Sequence, residues 1–152
     1  MPNIVINVRK KWKFMNKQKI IFLQGLPASG KSTWSKQYCI DNPDFVRINK
    51  DDIREELGNP AFSNSFEKLV LSMQRSRGLE ILNTGKSLIV DDTNFAEKHK
   101  IYWKNIADNL DIEFEIKFFD VPVEECIKRD KDREKSVGKM VIYTMNKNYL
   151  KK

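Results

Sequence analysis

One stretch, Lys19 to Ile40, constrains this chain more than any other. Lys19 to Gln24 (Lys-Ile-Ile-Phe-Leu-Gln) is short, apolar and β-rich, and reads as a buried strand of a parallel sheet. Gly25-Leu26-Pro27-Ala28-Ser29-Gly30-Lys31-Ser32 follows, then Lys31 to Ile40 takes helical spacing and stops near Asn42-Pro43. The loop fits the pattern G-x-x-x-x-G-K-[ST], expected by chance in roughly one chain in two hundred of this length. A chance match need not also follow an apolar strand and open a helix. Glycines let successive backbone N–H groups turn inward toward phosphate oxygens. The helix beyond points its positive end at the same anion. Gly25 to Thr33 therefore reads as a nucleotide cradle, with Lys31 reaching the β- and γ-phosphates of ATP and the Ser32 hydroxyl a ligand for Mg²⁺.

The rest of the chain alternates strands with helices. Strands are expected at Phe45–Asn49, Ser87–Asp91 and Phe114–Phe119, the last at a sheet edge. Helices are expected at Asp51–Leu57, Phe66–Asn83, Ala96–Leu110, Val123–Arg133 and Met140–Leu150. Leu69, Met73, Leu79 and Leu82 are the apolar candidates of the long helix. The pattern implies an α/β fold: a P-loop NTPase three-layer sandwich, its mainly parallel sheet of about four strands flanked by helices.

With 152 residues, 40% hydrophobic and 32% charged, the chain suits one globular domain. Residues 18–152 are its expected extent, preceded by a basic extension over residues 1–17. That extension interleaves Arg9, Lys10, Lys11 and Lys13 with Trp12 and Phe14, and reads either as a solvated arm or as a contact for nucleic acid. No apolar run reaches the roughly 18 residues of a membrane helix, and no secretory signal is evident, so a cytoplasmic protein is expected. Cys39 and Cys126 lack metal-type spacing and read as reduced, partly buried thiols. The net charge of +7 suits a polyanionic partner without requiring one. His99, among charged neighbours, is expected to be exposed, and Trp34 and Trp103 to be packing residues.

The phosphate loop does not name the reaction. Sites in parallel sheets lie beyond the carboxyl ends of the strands. Asp51, after the second strand, is placed to take a proton from an attacking hydroxyl. It equally suits a helix N-cap. Arg54 falls one turn later on the same face and suits either holding an acceptor phosphate or orienting the carboxylate. The third strand ends in Asp91-Asp92-Thr93-Asn94, a pattern that holds Mg²⁺ or its water shell, through Asp92 or through Asp91. Arg129 and Arg133, four apart, read as a lid over the triphosphate or as members of a solvated, ion-paired helix.

Taken together, Gly-Lys-Ser-Thr-Trp at 30–34, Asn42-Pro43, Ile48-Asn49 with Asp51-Asp52-x-Arg54, Asp92-Thr93-Asn94, Phe119-Asp120-Val121-Pro122, Lys128-Arg129 and Arg133 resemble the 5′-kinase domain of bacteriophage polynucleotide kinase. The matches run in order from about residue 18 to the end of the chain. The resemblance implies transfer of the ATP γ-phosphate to a 5′-OH end of DNA or RNA. It implies Lys31 and Ser32 on phosphate and metal, Asp51 as general base, and Arg54 on the acceptor's 3′-phosphate. It further implies Asp92 as active-site support and Arg133 as a phosphate lid. Lys50 stands where that family has arginine, which keeps charge but loses a bidentate fork. The phosphatase motif of the bifunctional phage enzyme is absent, so no 3′-phosphatase activity is expected. Two other classes remain open: a small-molecule kinase on the same scaffold, acting on a nucleoside, sugar or antibiotic hydroxyl, and a nucleotide-binding module without catalysis.

Overall fold

The computed structural model of the protein describes residues 17–150. The basic extension, Lys17 apart, lies outside them. Four strands, β1 (Lys19–Gln24), β2 (Phe45–Ile48), β3 (Ser87–Val90) and β4 (Glu113–Phe118), form one sheet in the order β2-β3-β1-β4. Every pairing is parallel, with Ile20 opposite Leu88, Val46 opposite Leu88, and Ile20 opposite Phe114. The fourth strand is at an edge, as its alternating sequence predicts. Among the described residues, α1 (Lys31–Asp41), α2 (Lys50–Glu56), α3 (Asn64–Asn83) and α4 (Glu97–Leu110) join the strands, and α5 (Val123–Lys131) and α6 (Lys139–Met145) follow the last one. A single π-turn, Asn146–Leu150, continues α6. No helix among the described residues is long and apolar enough to cross a membrane.

The twofold period of a strand explains the layers. Ile20 and Phe22 of β1, with Leu88 and Val90 of β3, pack on Leu82 of α3 and Trp103 and Ala107 of α4. The intervening Ile21, Leu23 and Ile89 face the opposite side, against Trp34, Tyr38 and Cys39 of α1. Trp34 and Trp103 are packing residues, as expected. A third cluster joins Leu26 to Cys126 of α5 and Ile142 of α6, which seats these last helices against the loop after β1. Both cysteines are free thiols.

Two expectations are corrected. The buried stripe of α3 is Val70, Gln74, Gly78 and Leu82, while Leu69 keeps 48% of its surface exposed. Strict i, i+4 spacing sets that stripe, and it selects for fit as well as for apolarity. A Cβ on Gly78 would run into the Trp103 ring, so a glycine is kept despite costing a helix about 1 kcal/mol relative to alanine. His99 is half-buried, and burial pulls its pKa down to about 4.

Candidate active site

The loop after β1 is shaped by its backbone. Gly25 donates its N–H to the Thr93 carbonyl (3.2 Å), tying the loop to the exit of β3. A Cβ on Gly25 would meet Ser29 Oγ at 2.9 Å and Phe119 Cβ at 3.0 Å, so a side chain there must displace a neighbour. Ala28 and Gly30 adopt left-handed φ values of 63° and 94°. Gly30 is the N-cap of α1 and offers no side-chain cap. The first intrahelical bond runs from Trp34 N–H to the Gly30 carbonyl, so the amides of Lys31, Ser32 and Thr33 precede the helical ladder. Lys31 curls beneath the loop. Its ammonium donates to the carbonyls of Gly25 (2.9 Å) and Leu26 (2.7 Å) and to Ser29 Oγ (3.3 Å). Burial brings its pKa down to about 8. Gly25 and Leu26 thus act through their carbonyls, and the Leu26 side chain belongs to the core.

Above the loop opens a cleft of about 900 Å³, whose lining includes Ser32, Asp51, Arg54, Asp92, Arg129 and Arg133. Eight cationic side chains line it against four aspartates, a balance suited to a polyanion. On its far wall Asn49 caps α2, accepting the Asp52 N–H (3.0 Å) and donating its amide to the Asp91 carbonyl. The capping task is therefore not that of Asp51. The Asp51 side chain is 77% exposed and pairs with Arg54 Nη1 at 2.6 Å. Glu67 of α3 grips the other edge of the same guanidinium through Nε (2.9 Å) and Nη2 (2.8 Å).

The two aspartates after β3 differ. The Asp91 side chain is buried; its Oδ2 accepts from Ser35 Oγ (2.8 Å) and Arg47 Nε (2.6 Å). Its Oδ1 is buried with no partner among the described residues. Arg47 also reaches Asp52 Oδ2 (2.6 Å) and Ser32 Oγ (3.4 Å). Asp92 has both oxygens engaged, Oδ1 by the Lys50 N–H (3.0 Å) and Oδ2 by the Gln74 amide (2.6 Å). Burial pushes its pKa up to about 6.

The last wall is a turn beyond α5. That helix ends at Lys131, so Arg129 and Arg133 do not share a helical face, although both line the cleft. Arg133 is held by Asp130, which accepts from its Nε (3.1 Å) and Nη2 (2.5 Å), from Ser136 Oγ (2.7 Å), and from the N–H groups of Val137 (3.1 Å) and Gly138 (2.9 Å). Burial opposes ionisation of Asp130, but these donors outweigh it and hold the carboxyl well below the usual range. Arg129 pairs with Glu125 at 3.1 Å.

Residues 20–150 match the family model AAA_33, an AAA domain. The chain belongs to that family. It is 30% identical over 134 residues to an L-seryl-tRNA(Sec) kinase of Methanococcus maripaludis, covering 86% of this chain and 52% of the relative. A protein of Autographa californica nuclear polyhedrosis virus, named provisionally as a bifunctional polynucleotide kinase/RNA ligase, is 25% identical over 80% of this chain and 19% of its own length. The solved Pnkp1/Rnl/Hen1 RNA repair complex contains a chain with TM-score 0.69 and 27% identity, covering 85% of this chain and 43% of that one. The chain spans about half the length of the archaeal relative and less of the viral one.

This domain thus gathers Lys31, Ser32, Asp51, Arg54, Asp91, Asp92, Arg129 and Arg133 around one cleft. Sequence reasoning named Asn49 without giving it a role, and gave none to the other groups that hold them: Arg47, Glu67, Gln74 and Asp130. Arg47 left one signal, a cation in an otherwise apolar strand. Gln74 left another, a polar residue on the i, i+4 row of Val70 and Leu82.

Proposed function

We propose that the protein is a polynucleotide 5′-hydroxyl kinase that moves the ATP γ-phosphate onto a 5′-OH end of DNA or RNA. The observation carrying this reading is that Asp51 and Arg54 stand paired at the rim of the cleft floored by the phosphate loop. The amides opening α1 take the phosphate tail of ATP. Lys31 exchanges its loop carbonyls for β- and γ-phosphate oxygens. The Asp51 carboxylate accepts the acceptor's hydroxyl proton as that oxygen bonds to the γ-phosphorus; the bond to the β,γ-bridging oxygen breaks and ADP departs. A guanidinium carries five N–H donors, of which Arg54 commits three within the fold, leaving two for the phosphate 3′ to the attacking sugar. Arg133 faces the charge that spreads over the equatorial oxygens, with Arg129 beside it.

The donor set fits magnesium: Ser32 Oγ lines the cleft, and the unpartnered Asp91 Oδ1 is a hard carboxylate oxygen. In this reading Ser32 and Asp91 would hold the ion, while Asp92, with a protein donor on each oxygen, supports the wall. Bound there, magnesium neutralises charge on the β- and γ-phosphates. Residues 18–152 form the kinase domain, and use of ATP goes with a cytoplasmic location.

Incubation with γ-labelled ATP, magnesium and matched 5′-OH DNA and RNA oligonucleotides tests the proposal. Label is expected at the 5′ end; none, with ATP bound normally, rejects it. The likeness to L-seryl-tRNA(Sec) kinase favours as second reading an alcohol carried on another scaffold. Label on seryl-tRNA or a small-molecule alcohol, but not on oligonucleotides, selects that one.

A further inference from the structure

Beyond Arg54 lies a second hollow of about 340 Å³, lined by Arg54, Asn59, Pro60, Phe62, Phe66 and Glu67. Of these, only Arg54 also lines the catalytic cleft. Its guanidinium divides the two spaces: Nη1 faces Asp51 on the cleft side, while Nε and Nη2 face Glu67 on the hollow side. The chain reaches this place by a turn after α2. Gly58 and Asn59 take left-handed φ values of 85° and 48°, and Pro60 follows. Ser63 then caps α3 by accepting the Phe66 N–H at 3.1 Å, which fixes where Phe66 leaves the helix.

Phe62 precedes that cap. An apolar residue there commonly packs back on the fourth helical residue. Here that residue is Glu67, turned to Arg54, and Phe62 keeps 80% of its surface exposed. An aromatic ring is thus left open beside a guanidinium that neutralises the nearby carboxylate.

We propose that this hollow is a stacking subsite for one nucleobase of the acceptor strand, the base following the phosphate held by Arg54. The proposal rests on the polynucleotide kinase reading. With the attacking sugar at Asp51 and its 3′-phosphate at Arg54, the next nucleotide continues past the guanidinium and meets Phe62 and Phe66. Every base has a π face, so such a shelf grips any sequence. It gives affinity for a strand of two or more nucleotides over a lone nucleoside.

The test uses the full chain with a 5′-OH oligonucleotide carrying 2-aminopurine at its second position. Wild-type protein is expected to quench the probe, and Phe62→Ala to lose the quench with ATP affinity unchanged. The same substitution should raise the KM for the oligonucleotide about tenfold and leave kcat nearly intact. Phe62→Tyr should restore both readings, and Phe62→Leu, apolar without a ring, should not. An acceptor lacking its second base should bind wild type and Phe62→Ala alike. An unchanged KM in Phe62→Ala overturns the subsite while leaving the kinase reading intact. An equal loss on the abasic acceptor also overturns it, as does a KM unchanged while a wild-type dimer in sedimentation becomes monomeric, since a second copy then covers Phe62. No transfer by wild type to any oligonucleotide, with ATP bound, removes the kinase reading and the subsite together.

Discussion

Lys31 and Asp51 line one cleft, yet Lys31 is only 7% exposed and the Asp51 side chain 77%. On the phosphate side the backbone makes the shape, and the lysine is satisfied by carbonyls of its own loop. On the proposed acceptor side Asp51 and Arg54 stand on a short helix, paired with each other and with Glu67 of α3. Changes on the first side should abolish nucleotide handling. Changes on the second should spare nucleotide binding and strike the transfer step.

The largest contrast is expected from Lys31→Ala. Charged groups on the transferring phosphoryl are worth roughly 10³-fold or more. Transfer of label should fall on that order and nucleotide affinity should weaken. Thermal unfolding should move little, because the lost hydrogen bonds are local to the loop. Turnover near wild type would break the comparison at its root. Asp51→Asn should lower turnover on the order of 10²-fold with ATP affinity and stability almost unchanged. Asn49 caps α2, so loss of the Asp51 charge costs the helix little. Unfolding by this exposed substitution would show that the acceptor side is structural after all.

Asp130 tests whether Arg133, the proposed lid, is preset. Asp130→Asn should destabilise the protein by about 2 kcal/mol at neutral pH, since the bonds it weakens include charge-assisted ones. The folded carboxyl ionises below its ordinary value of 3.8, so its contribution is complete above that pH and shrinks as pH falls through it. Urea titrations of both proteins should show a constant stability gap at neutral pH that narrows below about pH 4. A gap that widens in acid would reverse the assigned sign.

The phosphate side was legible in the sequence because a backbone shape needs glycines at fixed spacing, next to the strand and helix they join. Strands β1 and β3 were legible for a similar reason, since burial on both faces leaves an apolar run, whereas β4 showed itself as an edge by alternating. Asp51 and Arg54 were readable as a pair because they are one turn apart. What grips them was not. Arg47 finds Asp91 across 44 residues and Gln74 finds Asp92 across 18, and no local pattern encodes such pairings. Leu69 was misread for a related reason, since the face of α3 is decided by Trp103 and Asp92 and not by hydrophobicity alone. Asp130 sits between Arg129 and Lys131, and only the turn beyond α5 reveals it as an acceptor for four residues.

Helix α3 is where the two sides are joined, and this gives the smallest and sharpest prediction. Glu67 in its first turns holds Arg54, and Gln74, two turns later, holds Asp92. One rigid helix therefore sets the Arg54 guanidinium relative to the wall beneath Lys50. Gln74→Leu keeps the volume but removes the donor, leaving Asp92 Oδ2 without its partner; a stability loss of about 1–3 kcal/mol is expected. If Asp92 only fills space, turnover should follow the folded fraction and nothing more. If it fixes the position of Lys50 and the start of α2, kcat should fall about tenfold in fully folded protein while the KM for ATP holds, since a small displacement of a positioned group is enough to slow transfer. An unchanged kcat in stable Gln74→Leu protein would separate the two sides, and the acceptor rim would then depend on Glu67 alone.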